Sequence, residues 1–297
     1  MYLQIDSRWP LVWRSPSTFQ CGIDSPRAVI TDIDGAEEQL VRLLAHGTRI
    51  SDLHRLARTQ GLSQARVDQI LKELSSVLIP PAGHSGDTKT SSHGGSSYRE
   101  NFRNVNVIIH PESVDNQIMR AVFTAAGAQV SLASSAHSTP REHPFTRTLE
   151  TPLQSSTTAV SLPLMLICAH FAVRPRLYQQ WVHHDTPHVP VVFSDSSVRV
   201  GPLVVPGKTA CLFCVDLNRR DNEPEWPTIA TQLLERKAPT HTAALTSLAA
   251  SLLVKSVESW VAQGRSELLN QQASISYDTH AISHTRVDTH PLCTCCD

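Results

Sequence analysis

The chain has 297 residues, a formal net charge of −1 from 26 basic and 27 acidic side chains, and 40% apolar residues. That composition allows a real core, disfavours global disorder, and offers no bulk electrostatic drive toward nucleic acid or an anionic membrane. No apolar run reaches the roughly 18–20 residues that span a bilayer. The N-terminus places Asp6 before Arg8 and has no small-residue cleavage site, so it does not read as a signal peptide. The expectation is a soluble, cytoplasmic protein of about two domains.

In chain order, strand-like pieces come first: Leu11–Trp13, Phe19–Gly22 and Ala28–Thr31, punctuated by Pro16, Gly22 and Pro26. Three helical patterns follow. Ala36–Ala45 ends before Gly47. Ser51–Gln60 has Ser51 as N-cap and ends at Gly61. The third starts at the N-cap Ser63 and carries Val67, Ile70, Leu71, Leu74, Val77 and Leu78 in a stripe of period 3.6. Short strands with three helices predict a winged helix-turn-helix over 1–80. Residues 81–100 are Ser, Gly, Thr or Pro at twelve of twenty positions, which predicts a flexible linker.

The segment 101–297 predicts an α/β domain. Asn104–Ile109 reads as a buried strand, Asp115–Ala126 as a helix and Ala128–Ala133 as a strand, together a parallel βαβ unit. Residues 134–160 read as loop. Leu164–Cys168 and Val189–Phe193 read as strands flanking a helix at Arg176–His183. Val198–Val205 is extended, Ala243–Ala262 is a long helix, and Ala273–Asp278 is a late strand.

Seven cysteines stand in the chain, five of them in two tight groups. Cys211 and Cys214 form one C-x-x-C pair, read as a knuckle-like turn, and Cys293 and Cys296 form another at the C-terminal end. Two such pairs supply four soft ligands for a tetrahedral structural Zn²⁺ that pins the tail to the domain. A disulfide or redox pair is the rival; a reducing compartment disfavours the first, and a reactive C-x-x-C ordinarily opens a helix. Cys295 is left over, either exchanging with a neighbour as ligand or standing as a spare thiol. Cys21 and Cys168 read as core. The fifteen histidines, including the groups 183/184/188 and 280/284/290, read as surface residues.

A nucleotide would bind after the first strand of the βαβ unit. That turn, His110–Asn116, has no Gly and carries Glu112 and Asp115; Ser134 and Ser135 stand where a ribose-binding acid belongs. A degenerate Rossmann-like domain without nucleotide is expected. In the third helix, Arg66 and Lys72 are balanced by Asp68 and Glu73, which disfavours DNA. Peptide capture by strand addition is the alternative use of a winged helix. The contacts expected are Ala28, Val29, Ile30 and Thr31 on the strand, with Arg66 and Ile70 on the helix.

The stretch VGPLVVPGKTACLFC at 200–214, then VDLNRRD at 215–221 and Trp226-Pro227, resembles the ThiF-type, ubiquitin-activating-enzyme-like cyclodehydratase (TOMM leader-peptide-binding) proteins of azole-forming peptide biosynthesis. PHVPV at 187–191 and the Cys-rich tail match as well, and the N-terminal part resembles a RiPP recognition element. The resemblance implies zinc on Cys211, Cys214, Cys293 and Cys296. It implies a precursor leader peptide as client and a YcaO-type cyclodehydratase as partner, and it allows a homodimer. The missing Gly-rich loop and ribose acid fit a non-catalytic scaffold. An acyl-adenylating enzyme and a winged-helix DNA-binding regulator remain the alternatives.

Overall fold

The computed structural model describes residues 2–79, 105–110, 117–132 and 162–295. The N-terminal part forms two small antiparallel sheets and three helices. The strands β1 (Tyr2–Ile5), β5 (Thr48–Arg49) and β6 (Leu78–Ile79) make one sheet in the order β5-β1-β6. The strands β2 (Leu11–Ser15), β3 (Thr18–Cys21) and β4 (Ala28–Ile30) make the other, in chain order. Helices α1 (Gly35–His46), α2 (Ile50–Thr59) and α3 (Gln64–Glu73) pack against both.

Local chemistry explains the helix starts. Asp34 accepts from the amides of Ala36 and Glu37 while Glu37 reaches back to the Asp34 amide, a reciprocal cap for α1. Ser63 accepts from the Arg66 amide at the start of α3, as the sequence predicts. Ser51 does not cap α2; Arg49 holds that position with no side-chain bond. The apolar stripe of the third helix also outruns it. The helix stops at Glu73, Leu74 and Val77 stay in the core through a turn, and Leu78 pairs with Ile5 in β6. A two-residue strand of half-buried apolar residues continues a helical stripe without any break visible in the sequence. β1, β5 and β6 escape a pattern reading because they are only two to four residues long.

The second part is built on a seven-stranded mixed sheet, ordered β13-β12-β11-β10-β9-β7-β8. The parallel section comprises β7 (Val105–Ile109), β8 (Gln129–Leu132), β9 (Leu162–His170) and β10 (His188–Phe193). The antiparallel section adds β11 (Ser197–Val200), β12 (Gln271–Ser276) and β13 (Ile282–Arg286). Helix α4 (Gln117–Ala125) completes the expected βαβ unit, and with α8 (Ala243–Gln263) it covers one face. Helices α5 (Pro175–His183) and α6 (Leu212–Asn222) lie on the other, and α7 (Trp226–Gln232) packs beside β2. The turn 111–116, Ser134 and Ser135, the linker 81–100 and Cys296 lie outside the described residues. No helix among the described residues is long and apolar enough to cross a membrane.

Several interactions join the two parts. The Gln232 side chain donates to the Trp13 carbonyl at 2.8 Å and accepts from the Trp13 amide at 2.9 Å, filling the open edge of β2. Arg14 pairs with Glu225 at 2.9 Å and Glu223 at 3.3 Å. Below them, two loops exchange carboxylates. Asp24 accepts from the hydroxyls of Ser194, Ser196 and Ser197 and from Arg199 at 2.8 Å. Asp195 in turn accepts from the amides of Ile23 and Asp24. Gly22 makes this approach feasible: its φ is +91°, and an added Cβ would stand 3.1 Å from the Ser25 carbonyl. Burial pushes both carboxyls up. Arg199 and the serine hydroxyls outweigh that for Asp24 and hold it below the usual range, whereas the Asp24 charge pushes Asp195 further up.

Candidate metal centre and adjoining pocket

The route to the cysteines begins at β11. Gly201 turns the chain with φ +87° where a Cβ would meet the Gln271 carbonyl at 3.2 Å. The following segment is anchored at Ala210, whose amide donates to Asn270 Oδ1 at 2.8 Å. Cys211 is then the N-cap of α6, and Cys214 lies in its first turn. The C-x-x-C therefore opens a helix and is not a free knuckle, so helix position does not separate it from a redox pair; the gathering of four sulfurs does. The sequence hides this because 212–222 has little amphipathic pattern; tertiary packing on the sheet decides.

The tail returns along the same helix. Asn218 donates to the Asp288 carbonyl at 2.8 Å. The His290 amide points at Cys214 Sγ, 3.4 Å away. The Leu292 amide donates to His290 Nδ1 at 3.0 Å, so the ring proton sits on Nε2 and is given to Asp221 at 2.8 Å. This turn delivers Cys293 and Cys295. The sulfurs of Cys211, Cys214, Cys293 and Cys295 all lie within 4.8 Å of one another. Individual separations are 3.6 Å for 211–293, 3.5 Å for 214–295 and 3.9 Å for 211–214. Four sulfurs at about 2.3 Å from a tetrahedral ion stand about 3.8 Å apart. These three separations match a tetrahedral Zn²⁺ set, and they exclude a bonded sulfur pair among these three contacts.

Without a cation, burial favours the neutral thiol at two of the four positions. Burial raises the Cys211 thiol and pushes Cys293 up to about 11. Burial acts the same way on Cys295, but hydrogen bonds from Cys293 and Cys214 outweigh it and hold that thiol below its ordinary value. A divalent ion would replace the shared protons. Three of the expected ligands, Cys211, Cys214 and Cys293, come together. Cys295, read from the sequence as either an exchanging ligand or a spare thiol, completes the described group. Cys21 and Cys168 are core residues, as expected. His188 and His290 are buried rather than surface residues.

On the other side of α6, a cavity of about 410 Å³ opens between this helix and the sheet face of β10–β13. Its walls include Phe171, Val173, Pro190, Val192 and Trp226. Asp216 accepts from Tyr178 Oη at 3.1 Å and from Trp226; burial raises its carboxyl in spite of these bonds. The Arg219 guanidinium lies 3.2 Å over the Trp226 ring. Burial and the neighbouring Arg199 charge lower Arg219 to about 9. Asp216, Arg219 and Trp226 fall in the 215–227 stretch singled out in the sequence, but the other walls come from α5, the strands β10–β13 and residues 171–173, which no local motif joins.

The expected peptide contacts divide by burial. Ala28, Ile30 and Ile70 point into the core, with 7%, 1% and 1% exposure. Val29 is 43% exposed, and Thr31 is exposed. Arg66 is committed to Glu37 at 2.6 Å and to the Thr31 carbonyl at 3.2 Å.

No family model matches the chain, and no curated protein matches it. Solved structures match its outline. The heterocyclase TruD aligns with TM-score 0.46 and 14% identity, over 99% of this chain and 42% of that one. A heterocyclase in complex with substrate and cofactor gives 0.47 and 14%, over 100% and 39%. The E. coli microcin synthetase McbBCD complex gives 0.44 and 13%, over 99% and 100%. The chain spans about two fifths of the length of the two heterocyclases. Likeness at this level carries no conclusion about activity.

Proposed function

We propose that the chain is a zinc-stabilised, non-catalytic scaffold. Its N-terminal winged helix would bind the leader of a ribosomal precursor peptide, and its ThiF-like α/β domain would present that peptide to a YcaO-type cyclodehydratase for azoline formation.

The observation that carries this reading is the free side of β4. The Arg27 carbonyl accepts from Ser76 and the Thr31 carbonyl from Arg66, so both point toward the α3 side. Strand alternation turns the Val29 main chain the same way. Val29 thus offers an amide and a carbonyl to an added strand, beside a helix whose exposed positions can receive alternate side chains. DNA is disfavoured further than the sequence alone requires. Arg66 is used internally by Glu37, which leaves α3 with Lys72 against Asp68 and Glu73. The zinc cluster supports the same reading as a structural clamp: four thiolates fill the coordination sphere and leave no open position for catalysis.

Zinc would be held by Cys211, Cys214 and Cys293 with a fourth thiolate from the 295–296 pair. The protein's part is to hold α6 and the tail together and to exclude water from the sulfurs.

Calorimetric titration with the leader segment of a precursor encoded beside this chain tests the proposal. Val29→Pro deletes the outward amide while leaving an edge-strand φ that Pro accepts. Saturable binding to the wild type, weakened at least about tenfold in the variant, is expected. No binding, or equal binding by the two, overturns it. ATP–pyrophosphate exchange by the wild type would instead support an adenylating enzyme.

A further inference from the structure

We propose that the cavity under α6 is a binding site for a carboxylate-bearing ligand with a short apolar or aromatic stem, anchored by Arg219.

The inference comes from accounting for the charges around the cavity. Four charged groups lie close to Arg219: Asp24, Glu223, Asp216 and Arg199. Each of the acids is already engaged. Asp24 serves Arg199 and three serines. Glu223 faces Arg14 at 3.3 Å. Asp216 accepts from Tyr178 and Trp226. Arg199 is spent as well, on Asp24 and on the Phe171 carbonyl at 2.9 Å. Elsewhere on the rim, Arg286 pairs with Asp288 at 2.6 Å. Among the described residues, the Arg219 guanidinium has a ring beneath it and no direct hydrogen-bond or ion-pair acceptor.

A guanidinium carries five N–H donors in a planar fork that matches a carboxylate. Stacking on Trp226 fixes the plane of that fork and leaves its edge free. The volume falls within the range of small-ligand sites, and the walls supply the apolar surface such sites use. A cation in this setting gains more from an anion than the same cation would in water, because the surrounding dielectric is low. The neighbouring Asp216 is turned toward Tyr178 and Trp226, so the edge of Arg219 is the cationic point on this wall that an incoming anion meets. The proposal is independent of peptide capture at β4, which lies on the other part of the chain.

Thermal-shift and calorimetric titrations of the zinc-loaded full chain test it with two carboxylates and a neutral control. Phenylacetate represents a free small acid, and acetyl-Gly-Glu-Gly-amide a peptide side chain. Phenylacetamide keeps the stem and removes the charge. At least one carboxylate is expected to bind saturably, with phenylacetamide weaker by tenfold or more. The better of the two carboxylates identifies the source of the group. Arg219→Met should lose that preference while keeping zinc stoichiometry and melting behaviour, and Arg219→Lys should restore part of it. If Arg219→Met fails to fold, the wild-type comparison of acid with amide still decides. Equal binding of phenylacetate and phenylacetamide, no carboxylate binding at millimolar concentration, or undiminished preference in a folded Arg219→Met overturns the proposal.

Discussion

Single residues decide the metal centre. Cys214 and Cys295 stand 3.5 Å apart, so Cys295→Ser removes one sulfur from a closed group. That variant should lose stoichiometric zinc in a colorimetric release assay, while Cys296→Ser should retain it if Cys295 is the fourth ligand. His290 reaches the site through its amide and holds the turn through its ring. His290→Ala should therefore weaken zinc by roughly tenfold, as the loss of groups supporting metal ligands commonly does. His188 gives a pH prediction. Its Nδ1 donates to the Thr186 carbonyl at 3.0 Å, and Nε2 is buried with no partner among the described residues. Burial lowers this imidazole to about 4 from an ordinary 6.5. The folded state holds the neutral ring, so this contribution is complete above pH 6.5 and is lost as pH falls toward 4. At the limit it amounts to roughly 3 kcal/mol. His188→Asn keeps a donor and cannot charge. Urea unfolding at pH 7.5 and 5 should show a smaller acid loss for the variant than for the wild type.

At the scale of elements, what could be read from the sequence follows the strength of each pattern. The end of α1 at Gly47, the start of α3 at Ser63 and the βαβ unit were legible because caps and periodicity are local, whereas the Asp34–Glu37 cap of α1 was not read. The strands β9 and β10 were legible as apolar runs, since both are buried on both faces. Helices α6 and α7 and strand β13 were not. α6 draws its stability from the cysteine cluster and the sheet, and β13 is exposed along its whole length. The overshoot of α3 into β6 has the same origin: burial of Val77 looks identical whether the chain there is helix or turn. For the candidate site, the cysteine spacing pointed to a metal and assigned Cys296 as the fourth ligand, whereas the described group contains Cys295. Only the turn fixed by His290 places Cys295 beside Cys214. Which edge of β4 is open was not legible, because a three-residue strand with Val29 facing out does not announce which main-chain edge is free.

At the scale of the molecule, the Asp24–Asp195 exchange is the principal polar tie between the two parts, and it lies next to the pocket through Arg199. Replacing Asp24 by Ala would leave the Arg199 guanidinium, 16% exposed, without its carboxylate. A loss of about 3 kcal/mol in unfolding free energy is expected, with faster amide exchange at Ile23 and Asp24. Equal stability of the variant would remove the exchange as a structural tie. This coupling matters to the proposed scaffold, because β4 follows directly on the Gly22–Asp24 turn and the edge it offers is held in place by that turn. The most direct test of the scaffold is hydrogen exchange on the zinc-loaded chain with and without the leader segment. The account predicts new protection centred on Val29 and the exposed side of α3, with the metal cluster unchanged. Protection confined to the α/β part, or none anywhere, would contradict it.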